Sequence, residues 1–261
     1  MAKLPKCFCY FCCNKMKVIG IIPARYASTR FPGKPLAVIK GKSMLQRVFE
    51  QAAKSKKLHE IIVATDHEAI AEHCISMGVK PVMTSPDHPS GTDRCYEALL
   101  KNGQKFDYVL NIQGDEPFLD PAQIDSLCEV CNGETQIATQ MIACRDHRVL
   151  FDKGEVKIIL NHKKEALYFS RSVIPHIKGK DEKEWHMHYN YYRHVGMYVY
   201  RYDILEKICR MKPSALEMAE SLEQLRWLEN GLSIQCVETS FDSHCIDSPE
   251  DIPKVLKLMG L

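Results

Sequence analysis

From Val18 onward the chain alternates short β-branched runs with helix-patterned segments: "VIGII", "SMLQRVFEQAAKS", "EIIVATD", "HEAIAEHCISMG" and "KPVMTS". This rhythm leaves few folds open, because short buried strands separated by amphipathic stretches pair in parallel through helical crossovers that cover both sheet faces. It continues with "TDRCYEALLKN" as a helix and "YVLNIQGDEP" as a strand running into a loop. "DPAQIDSLCEVCNG" is then a helix opened by Asp-Pro and stopped by Gly. Residues 17–135 are predicted to form a doubly wound α/β half.

After residue 135 the strand-like pieces lengthen, as in "QIATQMIAC", "EVKIILN", "ALYFSR" and "VGMYVYR", around a charged, His- and Tyr-rich stretch. Residues 136–212 are therefore predicted to be a mixed-strand, antiparallel insertion with an exposed loop. Residues 213–261 return to helix in "ALEMAESLEQLRWLENG" and to strand in "LSIQCVET", completing one catalytic-sized α/β domain. The last helix is predicted to start at the Ser N-cap of "SPEDIPKVLKLMG", immediately after Asp247.

Composition removes several function classes. Thirty-five Lys and Arg against 33 Asp and Glu leave a formal charge of +2, far from that of a nucleic-acid-coating chain. No window is long and apolar enough for a transmembrane helix, and the start lacks the apolar segment and cleavage site of a secretory signal, so a cytoplasmic protein is expected. Twelve cysteines in a chain of 261 residues fit reduced thiols rather than a disulfide scaffold. Cys7, Cys9, Cys12 and Cys13 are crowded with aromatics and have no partner motif at zinc spacing, and residues 1–16 are expected to be a disordered tail.

The chemistry-bearing residues fall at strand ends. "GIIPARYASTRFPGKPL" ends a buried run with Arg25, Arg30 and Lys34 around Gly33, a set able to surround a polyanion such as a triphosphate, although neither GxxxxGK[ST] nor GxGxxG is present. Asp115 follows "NIQG" at a second strand end, and Asp247 lies at a third in "CIDSPED". Taken alone, Asp247 reads as a cap or turn residue sooner than as a ligand, and a lone "GDE" is weak evidence for Asp115. Together, two carboxylates and three cations over one sheet edge suggest Mg²⁺-assisted chemistry at a nucleotide phosphate.

These segments resemble a known family. "IIPARYASTRFPGKPL", "VATDHE", "SGTDR", "NIQGDEP", "LYFSRSVIP", "RHVGMYVY", "LEQLRWLENG" and "IDSPEDI" match, in order, the motifs of the 3-deoxy-manno-octulosonate (Kdo) cytidylyltransferases, also called CMP-Kdo synthetases. The resemblance implies a Rossmann-like nucleotide-diphospho-sugar transferase fold, a homodimer, CTP and Mg²⁺, and a product used in lipopolysaccharide biosynthesis. It makes Asp115 and Asp247 the metal ligands and Arg25, Arg30, Lys34 and Arg94 the nucleotide contacts. It puts Gln113, Arg171, Lys178, His194, Tyr198, Glu223 and Gln224 on the sugar, with the insertion serving sugar binding and dimerisation. An acidic sugar suits Arg171 for its carboxylate and mixed donors and acceptors for its hydroxyls.

Lys178 stands where the family pattern has Arg, and it pairs as a point charge without a fork. The implied reaction is attack of the anomeric hydroxyl of Kdo on the α-phosphorus of CTP, giving CMP-Kdo and diphosphate. Two rival readings remain at this stage: activation of another acidic sugar, such as sialic acid, and a non-catalytic scaffold. An apolar stripe at Leu222, Leu225 and Leu228 is the candidate dimer contact.

Overall fold

The computed structural model describes residues 16–28, 30–242 and 244–261. The expected tail, with its four cysteines, lies outside the described residues except for Met16. The strands, in chain order, are β1 (Val18–Ala24), β2 (Val38–Ile39), β3 (Lys42–Ser43), β4 (Glu60–Thr65), β5 (Lys80–Met83), β6 (Tyr108–Asn111), β7 (Ile137–Cys144), β8 (Lys157–Leu160), β9 (Ala166–Ser170), β10 (Tyr191–Arg201) and β11 (Ile234–Glu238). The helices are α1 (Met44–Ala52), α2 (Glu68–Ser76), α3 (Gly91–Asn102), α4 (Pro121–Glu129), α5 (His147–Phe151), α6 (Trp185–His188), α7 (Tyr202–Cys209), α8 (Ala215–Glu220), α9 (Glu223–Glu229) and α10 (Asp251–Leu258).

The central sheet runs β11-β7-β10-β6-β1-β4-β5, with β8 joined to β10 and β9 joined to β8. β1 pairs in parallel with both β4 and β6, and β4 with β5, whereas β10 is antiparallel to β6 and β7. The chain leaves β1 toward β4 and β5 and then crosses back to β6, so the strand order reverses between β1 and β6. In open α/β sheets that reversal opens a crevice beyond the strands' carboxyl ends. Period-two side-chain alternation divides the core accordingly: Ile19 and Ile21 of β1 pack with α3, α7 and α9, whereas Val18 and Ile22 pack with α1, α2 and α4. Helices therefore cover both faces, as the rhythm predicts.

Residues 136–212 extend the same sheet rather than forming a layer of their own. β10 shares hydrogen bonds with β6, β7 and β8, and it begins at Tyr191, inside the stretch read from sequence as an exposed loop. Sequence also predicts one helix over "ALEMAESLEQLRWLENG", but Ser221 at φ 53° breaks it into α8 and α9. Leu222 and Leu225 are buried in this chain's own core and Leu228 packs against it, so that stripe is not a free dimer surface. α10 starts at Asp251, three residues later than the Ser248 cap predicts, and the Asp251 carboxylate accepts the Ser248 N–H and hydroxyl in the turn that precedes it.

Candidate active site

The crevice between β1 and β6 is built by three loops. After β1, Gly33 at φ 68° turns the chain into a short 3₁₀ turn that presents Lys34, and its N–H donates to the Tyr26 carbonyl at 3.0 Å. After β6, Gly114 passes so close to β1 that a Cβ there would stand 2.7 Å from the Pro23 carbonyl oxygen. That close approach aims Asp115 at the cation loop. The third loop is joined by backbone: the Ile246 N–H donates to the Asp115 carbonyl at 2.9 Å, which places Asp247 beside Asp115. The Asp251 carboxylate then fixes Asp247 by accepting its N–H at 3.2 Å.

The charges meet there. Lys34 Nζ donates to Asp115 Oδ2 at 2.8 Å and to Asp247 Oδ1 at 3.2 Å, and Arg30 Nη2 lies 3.1 Å from Asp247 Oδ2. Burial opposes the Lys34 charge, but the two carboxylates outweigh it and raise its pKa. Arg25 is exposed and, among the described residues, has no ion-pair partner. The crevice, about 320 Å³, is lined by these residues together with Ser90, Gly91 and Gln113.

Arg94 lines the crevice too, but its guanidinium is occupied. Nη2 pairs with Asp66 Oδ2 at 2.9 Å and Nη1 donates to Thr84 Oγ1 at 2.6 Å, with both ion-pair partners almost fully buried. The other Asp66 oxygen accepts the Tyr26 N–H at 3.0 Å. One carboxylate thus ties α3 to the cation loop. The loop before α3 is pinned by Glu97, which pairs with His88 and Lys101 and accepts the Ser85 N–H at 2.8 Å.

A second cavity of about 220 Å³ adjoins the first and shares Gly91 and Gln113 with it. Its other lining residues include Thr92, Asn111, Tyr198, Glu223, Gln224 and Trp227. Trp227 stands edge-on to Tyr198 at 5.1 Å and to Tyr200 at 5.5 Å, forming a rigid aromatic floor. Asn111 Oδ1, Tyr198 Oη and Trp227 Nε1 are buried polar atoms without a hydrogen-bond partner among the described residues. Native proteins leave few such atoms, and their clustering marks a site that takes polar company. Glu223 accepts from Thr92 Oγ1 at 3.1 Å, and burial raises its pKa although Arg226 opposes the rise.

Four of the seven residues assigned to the sugar from sequence therefore line one cavity: Gln113, Tyr198, Glu223 and Gln224. Gln113 Nε2 donates to the Gly196 carbonyl at 2.7 Å, where β10 bulges between Val195 and Tyr198. His194 lies behind Tyr198, its ring 5.2 Å away and its Nε2 2.9 Å from Thr139 Oγ1. Burial, helped by Arg193, lowers its pKa to about 3, so it is neutral at pH 7. Arg171 lies apart from the cavity, with Nε on the Glu220 carbonyl at 2.8 Å and Nη1 on the Lys153 carbonyl at 3.2 Å. Lys178 is exposed and lines neither cavity.

Sequence reading left Asp66, Glu97, Asn111, Trp227 and Asp251 unassigned. The "VATDHE" motif carries Asp66, but only its burial against Arg94 says what it does.

An open α/β sheet whose switch-point crevice gathers cations and two carboxylates beside a polar cavity fits the class of nucleotidyltransferases. Comparison with known proteins narrows it. Residues 19–234 match the family model described as cytidylyltransferase. A 3-deoxy-manno-octulosonate cytidylyltransferase of Cytophaga hutchinsonii is 46% identical, covering 93% of this chain and 97% of its own. One of Parabacteroides distasonis is 50% identical over 94% of this chain and 99% of its own. The solved structure of a CMP:2-keto-3-deoxy-manno-octonic acid synthetase complexed with CTP superposes with a TM-score of 0.86 at 37% identity, covering 94% of this chain and 98% of that one. The chain belongs to the cytidylyltransferase family, in its Kdo cytidylyltransferase branch.

Proposed function

We propose that this chain is an enzyme that transfers cytidylyl from CTP to Kdo, giving CMP-Kdo and diphosphate. The observation that carries the reading is the junction of the two cavities. A cation-lined crevice of triphosphate scale opens at Gln113 and Gly91 into a polar, aromatic-floored cavity of sugar scale. The anomeric hydroxyl of a sugar in the second then faces the α-phosphate of a nucleotide in the first, and holding the two together supplies much of the rate.

Within this reading Arg25, Arg30 and Lys34 hold the triphosphate. Gln113, Tyr198, Glu223 and Gln224 hold the sugar hydroxyls. His194, neutral and pinned by Thr139, orients Tyr198 rather than moving a proton. Arg171 and Lys178 are left for the sugar carboxylate, and Arg171 must release backbone carbonyls to reach it. Arg94 positions the wall through Asp66.

Asp115 and Asp247 would hold Mg²⁺. The donor set fits: two hard carboxylates already converge on one cation, Lys34. Among the described residues no group of three or more His, Cys, Asp or Glu could hold a metal. Magnesium commonly takes one or two carboxylates and fills the rest of its octahedron with phosphate and water. When bound, the ion neutralises phosphate charge and polarises the attacking hydroxyl.

Among the described residues no helix is long and apolar enough to cross a membrane. The eight cysteines from Cys74 to Cys245 are free thiols, which suits a reducing cytoplasm. A homodimer is part of the reading. Near β8, Met187 and Tyr189 are exposed beside His188, Asn190 and Tyr192, a mixed polar and apolar surface offered to a second copy.

Diphosphate release is the test, with CTP, ATP, GTP and UTP each paired with Kdo and with sialic acid. Release confined to CTP and Kdo is expected. Release with CTP and a different sugar moves the error to Lys178, and no release with any pair ends the enzymatic reading.

A further inference from the structure

The ion set in the crevice carries one more step, which rests on the reading of Asp115 and Asp247 as metal ligands. Lys34 Nζ reaches both carboxylates, at 2.8 Å and 3.2 Å, from a side chain only 16% exposed. A divalent cation at the same oxygens would sit about 2.1 Å from each. The two cations cannot share them, because a charged ammonium about 3 Å from a metal ion costs several kcal/mol even at an effective dielectric of about 20. Arg30 adds a second cation on Asp247, but at 70% exposure its hold is weak.

The ammonium has another place to go. It rides on a four-carbon stem, and the same crevice holds Arg25, which has no ion-pair partner among the described residues, and the Ser90–Gly91 start of α3. We propose that Lys34 closes the carboxylate pair to free divalent cations and opens it when a triphosphate takes the ammonium, so that metal and nucleotide enter as one event. Nucleotide binding then drives the exchange through its differential affinity for the opened state. The nucleotide-free protein is self-neutralised and does not hold a metal on its own.

Manganese uptake tests this without turnover, because CTP without sugar leaves no reaction to run. Water-proton relaxation separates protein-bound Mn²⁺ from free Mn²⁺ and from Mn²⁺–CTP in solution. Without nucleotide, the wild-type protein and Lys34→Arg should take up Mn²⁺ only weakly, and Lys34→Gln at least about tenfold more tightly. With CTP, the wild-type protein should bind the metal tightly. Lys34→Met, read in the same way, covers a Gln variant that does not fold. Equal uptake by wild type and Lys34→Gln without nucleotide overturns the proposal. So does a Gln variant as weak as wild type while CTP still recruits metal to the wild-type protein. Both of those outcomes leave the metal assignment standing, whereas no uptake in any arm removes that assignment and this proposal with it.

Discussion

The two cavities meet at Gln113 yet are held open by different forces. The nucleotide crevice is a set of charges that satisfy one another: Lys34 with Asp115 and Asp247, Arg94 with Asp66, and Glu97 with His88 and Lys101. The sugar cavity instead holds three polar atoms that packing leaves without a partner among the described residues. Tyr198, Asn111 and Trp227 are fixed by the sheet and by ring contacts, whatever their polar tips find. A loop-built crevice can rearrange when an anion arrives, because its contacts are exchangeable ion pairs. A core-built cavity stays preformed, since moving Trp227 or Tyr198 would disturb the core cluster to which both belong.

This contrast breaks most visibly at Asp66. Asp66→Ala leaves the buried Arg94 guanidinium unpaired, and losing one partner of a buried pair typically costs about 3–5 kcal/mol. A drop in Tm of about 10 °C is expected for a chain of this size, with a raised KM for CTP. A Tm within a degree or two of wild type would mean that the crevice is not held by that pair.

Next in size is Asp115→Asn. Loss of one charge at the reacting phosphate should lower kcat about 10²-fold, read by diphosphate release, and the Tm should hold or rise. Activity near wild type would remove Asp115 from the metal site.

On the other side, Tyr198→Phe deletes a buried hydroxyl that has no hydrogen-bond partner among the described residues. Stability should stay level or rise by about 1 kcal/mol, because an unsatisfied group is removed. The KM for Kdo should rise severalfold and that for CTP should not move. Equal changes in both would mean that the cavities are not separate.

The smallest effect is in the pH dependence. Burial raises the Glu97 pKa, but hydrogen bonds from Lys101, His88 and the Ser85 N–H outweigh it and bring it from 4.5 to about 2. The folded-state pKa lies below the unfolded one, so its stabilisation is full above about pH 4.5 and is lost as the pH falls toward 2. Glu223 has the opposite sign: its folded pKa is raised, so the folded protein gains from its protonation as the pH falls. Thermal unfolding from pH 7 to pH 3 should show the stability gap between wild type and Glu97→Gln, about 1 kcal/mol after screening, shrink with acid. Glu223→Gln should start more stable than wild type and converge with it. Parallel curves for both variants would erase the distinction between the two walls.

Much of this was legible beforehand, and the reasons are local. "VIGII" became β1, "SMLQRVFEQAAKS" contains α1 and "TDRCYEALLKN" contains α3, because strand and helix periods are written in neighbouring residues. Asp120 with Pro121 opens α4 through a capping box, a signal spanning four residues. α7 gave no comparable punctuation, and the break at Ser221 could not be seen because αL geometry in a serine has no sequence mark. The same limit divided the site residues. Lys34, Asp115 and Asp247 lie in loops that follow strands the rhythm locates, whereas nothing local says that Asp66 and Thr84 hold the Arg94 guanidinium.

By itself the sequence determined the α/β rhythm, the strand ends and the kinds of charge placed on them, all of which are set by spacing within about fifteen residues. Only the tertiary structure decided which charges meet. The Ile246 N–H on the Asp115 carbonyl, the close approach of Gly114 to Pro23, and the bulge that turns the Gly196 carbonyl to Gln113 all join segments far apart in the chain. Contacts of that range are fixed by the packing of the whole sheet, since no local preference can register one loop against another that the chain reaches only after crossing the core.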